Sequence, residues 1–125
     1  KLVATQPEIS PLRITCFENG EFDQAMMLGL TPLAWSPLGG GRLANPQSEG
    51  DKAVAAELDR VAGAQGVSRT VAAYSWLMAH PAGIIPIVGS QQPGRIAEAV
   101  EAYKVRWSRQ DWYAVLVAAR GERLP

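Results

Sequence analysis

The sequence has little cysteine, no excess of charge of either sign and no long apolar run, and each shortage disfavours a class of protein. Its single cysteine, Cys16, rules out a disulfide within the chain and is typical of a reducing, cytoplasmic setting. The 12 basic and 12 acidic residues cancel without forming a Lys/Arg cluster, which disfavours a nucleic-acid-binding protein. No apolar run approaches the roughly 20 residues that span a bilayer. We therefore expect a cytoplasmic protein with no nucleic-acid or membrane partner.

What is present is the composition of an ordinary globular domain. Hydrophobic residues make up 47% of the 125 residues and charged residues 19%, which is enough for one modest core. The chain opens with Lys1 rather than methionine, and the next residues already have the character of an approach to a strand. We expect residues 1–125 to form a single domain that is the remainder of a longer protein.

Strand and helix signals alternate along the chain. The predicted strands are residues 2–9, 32–35 and 84–88. The predicted helices are residues 21–28, 51–65, 69–79, 93–103 and one that follows Ser108. Ser68 and Ser108 are placed to begin helices, and Gly29, Gly66 and Gly121 to end them. Near-continuous apolar strands that alternate with helices predict an α/β fold with parallel strands.

Two loops that follow predicted strands are the best functional lead. Residues 36–42 (SPLGGGR) follow one apolar run, and residues 89–95 (GSQQPGR) follow another and lead into a helix. Glycines allow backbone N–H groups to approach phosphate oxygens, and the N-terminus of a helix favours an anion. Because ligands bind at the carboxyl ends of parallel strands, the two loops predict a pair of phosphate-binding loops.

These motifs, taken in order, resemble the aldo-keto reductases. The resemblance rests on residues 6–11 (QPEISP), 34–41 (AWSPLGGG) and 85–90 (IPIVGS) with Arg95, and on the tail from Trp107 to Pro125. It is closest to bacterial oxidoreductases of the family that carry the SPLGGGRL loop. The resemblance implies the C-terminal part, strands six to eight with their helices, of a (β/α)8 barrel of roughly 300 residues. Strands one to five are then absent.

The resemblance also implies roles in binding a nicotinamide cofactor. Gln6 matches the glutamine that hydrogen-bonds the carboxamide, and Trp35 matches the aromatic residue that stacks on the nicotinamide ring. Without the resemblance, Gln6 is a polar residue at a strand end and Trp35 packs in the core. The residues placed over the pyrophosphate are Ser36, Pro37, Leu38, Gly39, Gly40, Gly41 and Arg42, with Arg42 adding a charge-assisted contact.

A second group of residues matches the adenosine end of the cofactor site. Its members are Gly89, Ser90, Gln92, Arg95 and Glu98. Arg95 matches the arginine that contacts the adenosine 2′-phosphate, and Ser90 matches a hydroxyl that reaches the same phosphate. Many relatives have lysine in place of Gly89, which leaves one positive charge fewer here. We expect NADP (as NADPH), with NAD as the alternative cofactor.

The implied activity is reduction of an aldehyde or ketone to an alcohol by hydride transfer from NADPH. The catalytic Asp, Tyr, Lys and His of the family lie on the first four strands, so we assign no catalytic residue and no metal ligand here. His80, the lone histidine, follows a helix end, and we interpret it as a structural residue whose partial charge suits the helix dipole. The chain alone is expected to be inactive.

Three accounts of the missing strands remain open. The chain can be a fragment of an ordinary reductase, or half of an enzyme that a second chain completes. It can also be a short structural or nucleotide-binding module with no reaction of its own. In the last case, the apolar sheet edges would need to be covered, because exposed edges promote association.

Overall fold

The structure is a computed structural model that describes residues 4–35, 37–87 and 93–121, with the backbone alone for Pro93 and Arg95. The strands are β1 (Ala4–Thr5), β2 (Thr31–Ala34) and β3 (Ile85–Pro86). The helices are α1 (Thr15–Glu18), α2 (Glu21–Leu28), α3 (Glu49–Gln65), α4 (Arg69–Met78), α5 (Pro93–Val100) and α6 (Arg109–Arg120). A turn of 3-10 helix, Glu101–Lys104, follows α5.

The strands form one parallel sheet in the order β1-β2-β3. Ala4 pairs with Thr31 in β2, and Leu33 of β2 pairs with Ile85. Pairing resumes beyond β1 in the same register, where Glu8 forms a parallel bridge with Trp35. Neighbouring parallel strands joined by helices confirm the predicted α/β fold.

The helices cover one face of this sheet and leave the other face open. In β2, Pro32 and Ala34 are buried, and Ala34 belongs to the main core. Leu33 and Trp35 point to the opposite face because side chains alternate along a strand. Ile85, paired with Leu33, shares this open face and is exposed.

Serine and glycine residues mark the helix ends, largely as the sequence predicts. The Ser68 and Ser108 hydroxyls accept hydrogen bonds from the N–H groups of Val71 and Asp111, three residues further on. The predicted terminal glycines Gly29, Gly66 and Gly121 all have the left-handed backbone conformation. Ser48 caps α3 in the same way as the other two serines, and the helix therefore begins two residues before its predicted start.

The largest differences from the sequence prediction concern the strands. The patterns predict strands at residues 2–9 and 84–88, of which residues 2, 3 and 88 lie outside the described ranges, whereas β1 and β3 each contain two residues. Pro7 has no N–H to donate and contributes only its carbonyl to the pairing with β2, whereas Pro86 keeps its place beside Ala34 in the ladder. The helix predicted at residues 93–103 ends at Val100 and tightens into a 3-10 turn.

The core lies between the covered face of the sheet and the helices. Trp76 of α4 is fully buried, and its ring stacks on that of Trp112 of α6 at 4.8 Å with an interplanar angle of 13°. Phe17 of α1 follows the buried Cys16 and packs its ring against both indoles.

Within the described ranges, none of the helices has the length and apolar character needed to cross a membrane.

Candidate functional site

Gln6 and Trp35 lie at the carboxyl ends of adjacent strands, on the open face of the sheet. Gln6 follows β1 directly and is exposed. The register from Ala4 to Glu8 places it beside Leu33, so it shares a face with Trp35. The Trp35 N–H donates to the Pro7 carbonyl at 3.2 Å, which fixes the backbone at this point. The Trp35 side chain is 47% exposed, so packing in the core of this chain does not explain it.

The glycine loop after β2 has the backbone conformation that its sequence predicts. Gly39, Gly40 and Gly41 have φ angles of 69°, 64° and 92°, in the left-handed region that other residues rarely adopt. At Gly39 a Cβ atom would lie 2.9 Å from Leu12 Cδ1. Gly40 and Gly41 are exposed, so their backbone is open to a ligand.

Buried residues fix both sides of this loop. Pro37 is buried at its start, and Leu43, at its end, is buried in the main core. The Leu43 N–H donates to the Leu38 carbonyl at 3.3 Å. The Leu43 carbonyl accepts a hydrogen bond from Arg69 Nη1 at 2.7 Å, and Arg69 is itself held by Asp59. The loop is therefore anchored to α3 and α4 through its C-terminal end.

Arg42, the basic residue of the loop, makes a two-point ion pair with Asp51 of α3. Arg42 Nε donates to Asp51 Oδ2 at 2.9 Å, and Nη2 donates to Oδ1 at 2.6 Å. The Asp51 side chain is 9% exposed, whereas that of Arg42 is 59% exposed. The hydrogen bonds from Arg42 hold the pKa of the Asp51 carboxyl below its usual range. Sequence reasoning did not assign Asp51 to the site. Its position three residues after Ser48 indicates only that a helix begins there.

The second predicted loop lies largely outside the described residues. This applies to Gly89, Ser90 and Gln92, and also to Ser36 of the first loop. Arg95 lies in the first turn of α5, where its backbone alone is described. Glu98, on the same helix, is exposed and accepts a hydrogen bond from the Ser68 hydroxyl at 3.3 Å. The residues predicted for the adenosine end therefore stay a prediction.

His80 and Cys16 have the environments of structural residues. The imidazole Nδ1 of His80 accepts a hydrogen bond from the Ala82 N–H at 3.0 Å, and burial lowers the pKa of the ring. The neutral ring is therefore favoured, which contradicts our interpretation that its charge complements the helix dipole. Burial raises the pKa of the Cys16 thiol to about 12, so it is not a nucleophile. The described part of the chain contains no cluster of His, Cys, Asp or Glu that could hold a metal ion.

Solved structures resemble this arrangement. A thermostable aldo-keto reductase, Tm1743, in complex with the inhibitor epalrestat superposes with a TM-score of 0.80 at 19% identity, over 94% of this chain and 40% of that chain. Gox0644 in complex with NADPH gives a TM-score of 0.71 at 20% identity, over 97% of this chain and 38% of that chain. At such identities the similarity shows the fold, which is part of a (β/α)8 barrel as predicted.

Sequence comparison extends the similarity from fold to family. The model of the aldo/keto reductase family matches residues 1–117. The 6-dehydroglucose reductase of Novosphingobium aromaticivorans is 83% identical over 125 residues, which are 100% of this chain and 41% of that protein. The chain thus spans about two fifths of the length of this curated relative. With its parallel strands, its glycine loop and this match, the chain belongs to the aldo/keto reductase family.

Proposed function

We propose that this chain is the cofactor-binding portion of an NADP-dependent aldo-keto reductase that reduces a carbonyl compound to an alcohol. The observation that carries the proposal is the position of Trp35. Its indole is half-exposed on the open face of the sheet, which it shares with Gln6 of the neighbouring strand end, and the left-handed glycine loop follows it in the chain. These residues fit a ligand that has a flat ring, an amide and a phosphate group.

Trp35 and Gln6 have the chemistry needed at the nicotinamide end. The rigid indole face can hold a planar ring in one orientation, and the glutamine amide can donate and accept a hydrogen bond at once. When bound, NADPH supplies the hydride that reduces the carbonyl carbon. The proton for the carbonyl oxygen comes from a residue outside this chain, so the share of this chain is binding and orientation.

Residues of the two loops are proposed to bind the phosphates. The exposed backbone of Gly40 and Gly41 and the guanidinium of Arg42 face the pyrophosphate. Ser90 and Arg95 recognise the 2′-phosphate, with Gly89, Gln92 and Glu98 completing that end. An arginine in the first turn of a helix opposes its own helix dipole, which supports a functional reason for Arg95. NADP is therefore preferred over NAD.

We further propose that the active enzyme is a complete barrel whose remaining strands carry the catalytic residues. The 41% coverage of the Novosphingobium reductase supports this, because the match leaves room for the other strands. The name of that relative points to 6-dehydroglucose, a sugar with an additional carbonyl group, as the substrate. A nucleotide-binding module without a reaction is the competing function.

A chimera provides the direct test of the reductase function. The 125-residue chain replaces the matched segment of the Novosphingobium reductase, with which it is 83% identical. We expect this chimera to oxidise NADPH in the presence of 6-dehydroglucose, whereas the chain alone shows no turnover. Arg95→Gln should raise the KM for NADPH about tenfold and leave the KM for NADH within about twofold. The control is Arg106→Gln, which should change neither constant.

Two outcomes would contradict this account. An inactive chimera that still binds NADPH would favour the nucleotide-binding module. Equal effects of Arg95→Gln on both cofactors would refute recognition of the 2′-phosphate by Arg95.

A further inference from the structure

We propose that Asp51 is a positioning residue of the cofactor site, which orients the Arg42 guanidinium toward the pyrophosphate and holds the glycine loop in place. The inference rests on the proposed function, since it needs a phosphate at the loop. It adds a residue of α3 to a site that the sequence motifs restrict to strand ends and loops.

The geometry of the ion pair fixes the Arg42 guanidinium. Asp51 uses both carboxylate oxygens, at 2.9 Å and 2.6 Å from Nε and Nη2 of Arg42. Such a two-point contact fixes the plane of the guanidinium as well as its distance. The Asp51 carboxylate cannot easily move, because its side chain is buried and its own N–H is bonded to Ser48 Oγ at 3.1 Å.

The ion pair leaves some N–H donors of Arg42 available for a ligand. A guanidinium has five N–H donors, and Asp51 occupies the edge formed by Nε and Nη2. Among the residues that the structure describes, only Asp51 is hydrogen-bonded to this guanidinium, and Glu8 acts on it through its charge alone. Toward these residues the edge formed by Nη1 and Nη2 therefore makes no hydrogen bond apart from the one to Asp51, and the exposure of the side chain shows that a ligand can reach it. A carboxylate on one edge thus orients the other edge toward an anion.

The ion pair also restrains the glycine loop. Three consecutive glycines, Gly39 to Gly41, lose more backbone entropy on ordering than any other residues would. Arg42 comes immediately after them, so its attachment to Asp51 holds the glycines in an ordered conformation before a ligand arrives. Binding then requires less ordering, which increases affinity.

Charge repulsion alone predicts the opposite effect of neutralising Asp51, so the direction of the change in NADPH affinity distinguishes repulsion from orientation. A carboxylate near a phosphate site repels the phosphate, so neutralising Asp51 should strengthen binding if charge alone mattered. Arg42 is exposed, however, and water and salt screen the charge of Asp51 at the position of the ligand. We therefore expect the loss of orientation to dominate and Asp51→Asn to weaken binding.

The experiment is a double-mutant cycle on NADPH affinity, measured by calorimetric titration of the chimera. Asp51→Asn should raise the Kd about tenfold, and Asp51→Glu, which keeps the carboxylate, should raise it no more than about threefold. In the Arg42→Gln background, Asp51→Asn should have no further effect, because Asp51 acts through Arg42. Inorganic pyrophosphate should show the same pattern as a competitor.

Asp111→Asn is the matched control. Asp111 pairs with Arg60 of α3 at 2.9 Å, so the variant also removes an ion pair from this helix, but at a distance from the loop. It should leave the Kd unchanged. Tighter or unchanged NADPH binding by Asp51→Asn, or an equal loss in the Arg42→Gln background, would overturn the proposal. If the parent chimera does not bind NADPH, the proposed function fails, and the positioning role fails with it.

Discussion

His80 packs its imidazole among the rings of Phe17, Phe22 and Trp112, with centroid distances of 5.0, 4.8 and 5.8 Å. Its Nδ1 is a hydrogen-bond acceptor for the Ala82 N–H, so protonation of this nitrogen would remove the bond. Burial also disfavours the charged ring and lowers its pKa. The only histidine of the chain therefore stabilises the fold in its neutral form.

This environment predicts how stability depends on pH. The pKa of His80 in the folded chain lies below its ordinary value of 6.5, so the unfolded chain takes up the proton first as pH falls. Titration of His80 should leave the free energy of unfolding unchanged above about pH 6.5 and decrease it as pH falls below that value. Denaturant unfolding at a series of pH values measures this. His80→Gln removes the titratable ring, so the decrease below about pH 6.5 should disappear. If the pH profile of His80→Gln matched that of the parent, the decrease could not be assigned to His80.

Single residues of the candidate site were predictable only as far as a motif names them. Trp35 and the glycines follow an apolar strand, and the structure places them at its carboxyl end. The partner of Arg42 was not predictable, because Asp51 belongs to a different element and no local pattern joins the two. A side-chain pair formed by tertiary packing leaves no periodic signal in the sequence.

Helices α4 and α6 are joined by a reciprocal pair of indole hydrogen bonds. Trp76 Nε1 donates to the Trp112 carbonyl at 3.0 Å, and Trp112 Nε1 donates to the Trp76 carbonyl at 2.9 Å. The rings stack between these bonds. Each indole thus satisfies its only polar atom, while Trp76 is fully and Trp112 partly buried.

The pair predicts that the contact between α4 and α6 contributes strongly to stability. Trp112→Phe removes one hydrogen bond and part of the stacked surface, so we expect a loss of about 2–3 kcal/mol in the free energy of unfolding. Tyr113→Phe, at the neighbouring and more exposed position, should cost less than about 0.5 kcal/mol. Urea denaturation followed by circular dichroism measures both. If Trp112→Phe lowered the free energy of unfolding no more than Tyr113→Phe does, the indole pair would not contribute to stability.

The elements differ in how far local sequence determines them. The bounds of α2, α4 and α6 were predicted to within about one residue. Helices α2 and α6 end before a glycine, and α4 and α6 begin after a capping serine. Strands β1 and β3 were overestimated, because an apolar run does not reveal how many of its residues find a partner, whereas β2 has its predicted length and begins one residue earlier. Helix α1 escaped prediction, since four residues are too short to show a helical period.

Both lateral edges of the molecule expose apolar side chains. On the β1 side, Met27 and Leu28 of α2 are 83% and 59% exposed, and on the β3 side Val100 and Tyr103 are 59% and 80% exposed. A groove of about 360 Å³ lies beside Tyr103, between α4, β3 and α5. We propose that the remaining strands and helices of the barrel cover these edges, as they would in a protein of the length of the Novosphingobium relative.

The fold as a whole was predictable because ordered motifs along the entire chain resemble one family. Periodicity alone leads to an α/β protein with parallel strands, but not to a barrel, because three strands do not close a sheet. The barrel therefore rests on the family match and on the solved structures that share the arrangement. No pattern in the chain reveals the substrate.

NADPH titration of the chimera with substitutions at Trp35 tests whether the cofactor binds at these strand ends. Because this side chain is already half-exposed, its replacement should leave the fold intact. If Trp35 stacks on the nicotinamide, Trp35→Ala should raise the Kd for NADPH about tenfold, and Trp35→Tyr, which keeps an aromatic face, should stay within about threefold of the parent. An unchanged Kd for Trp35→Ala would show that the cofactor does not bind at these strand ends.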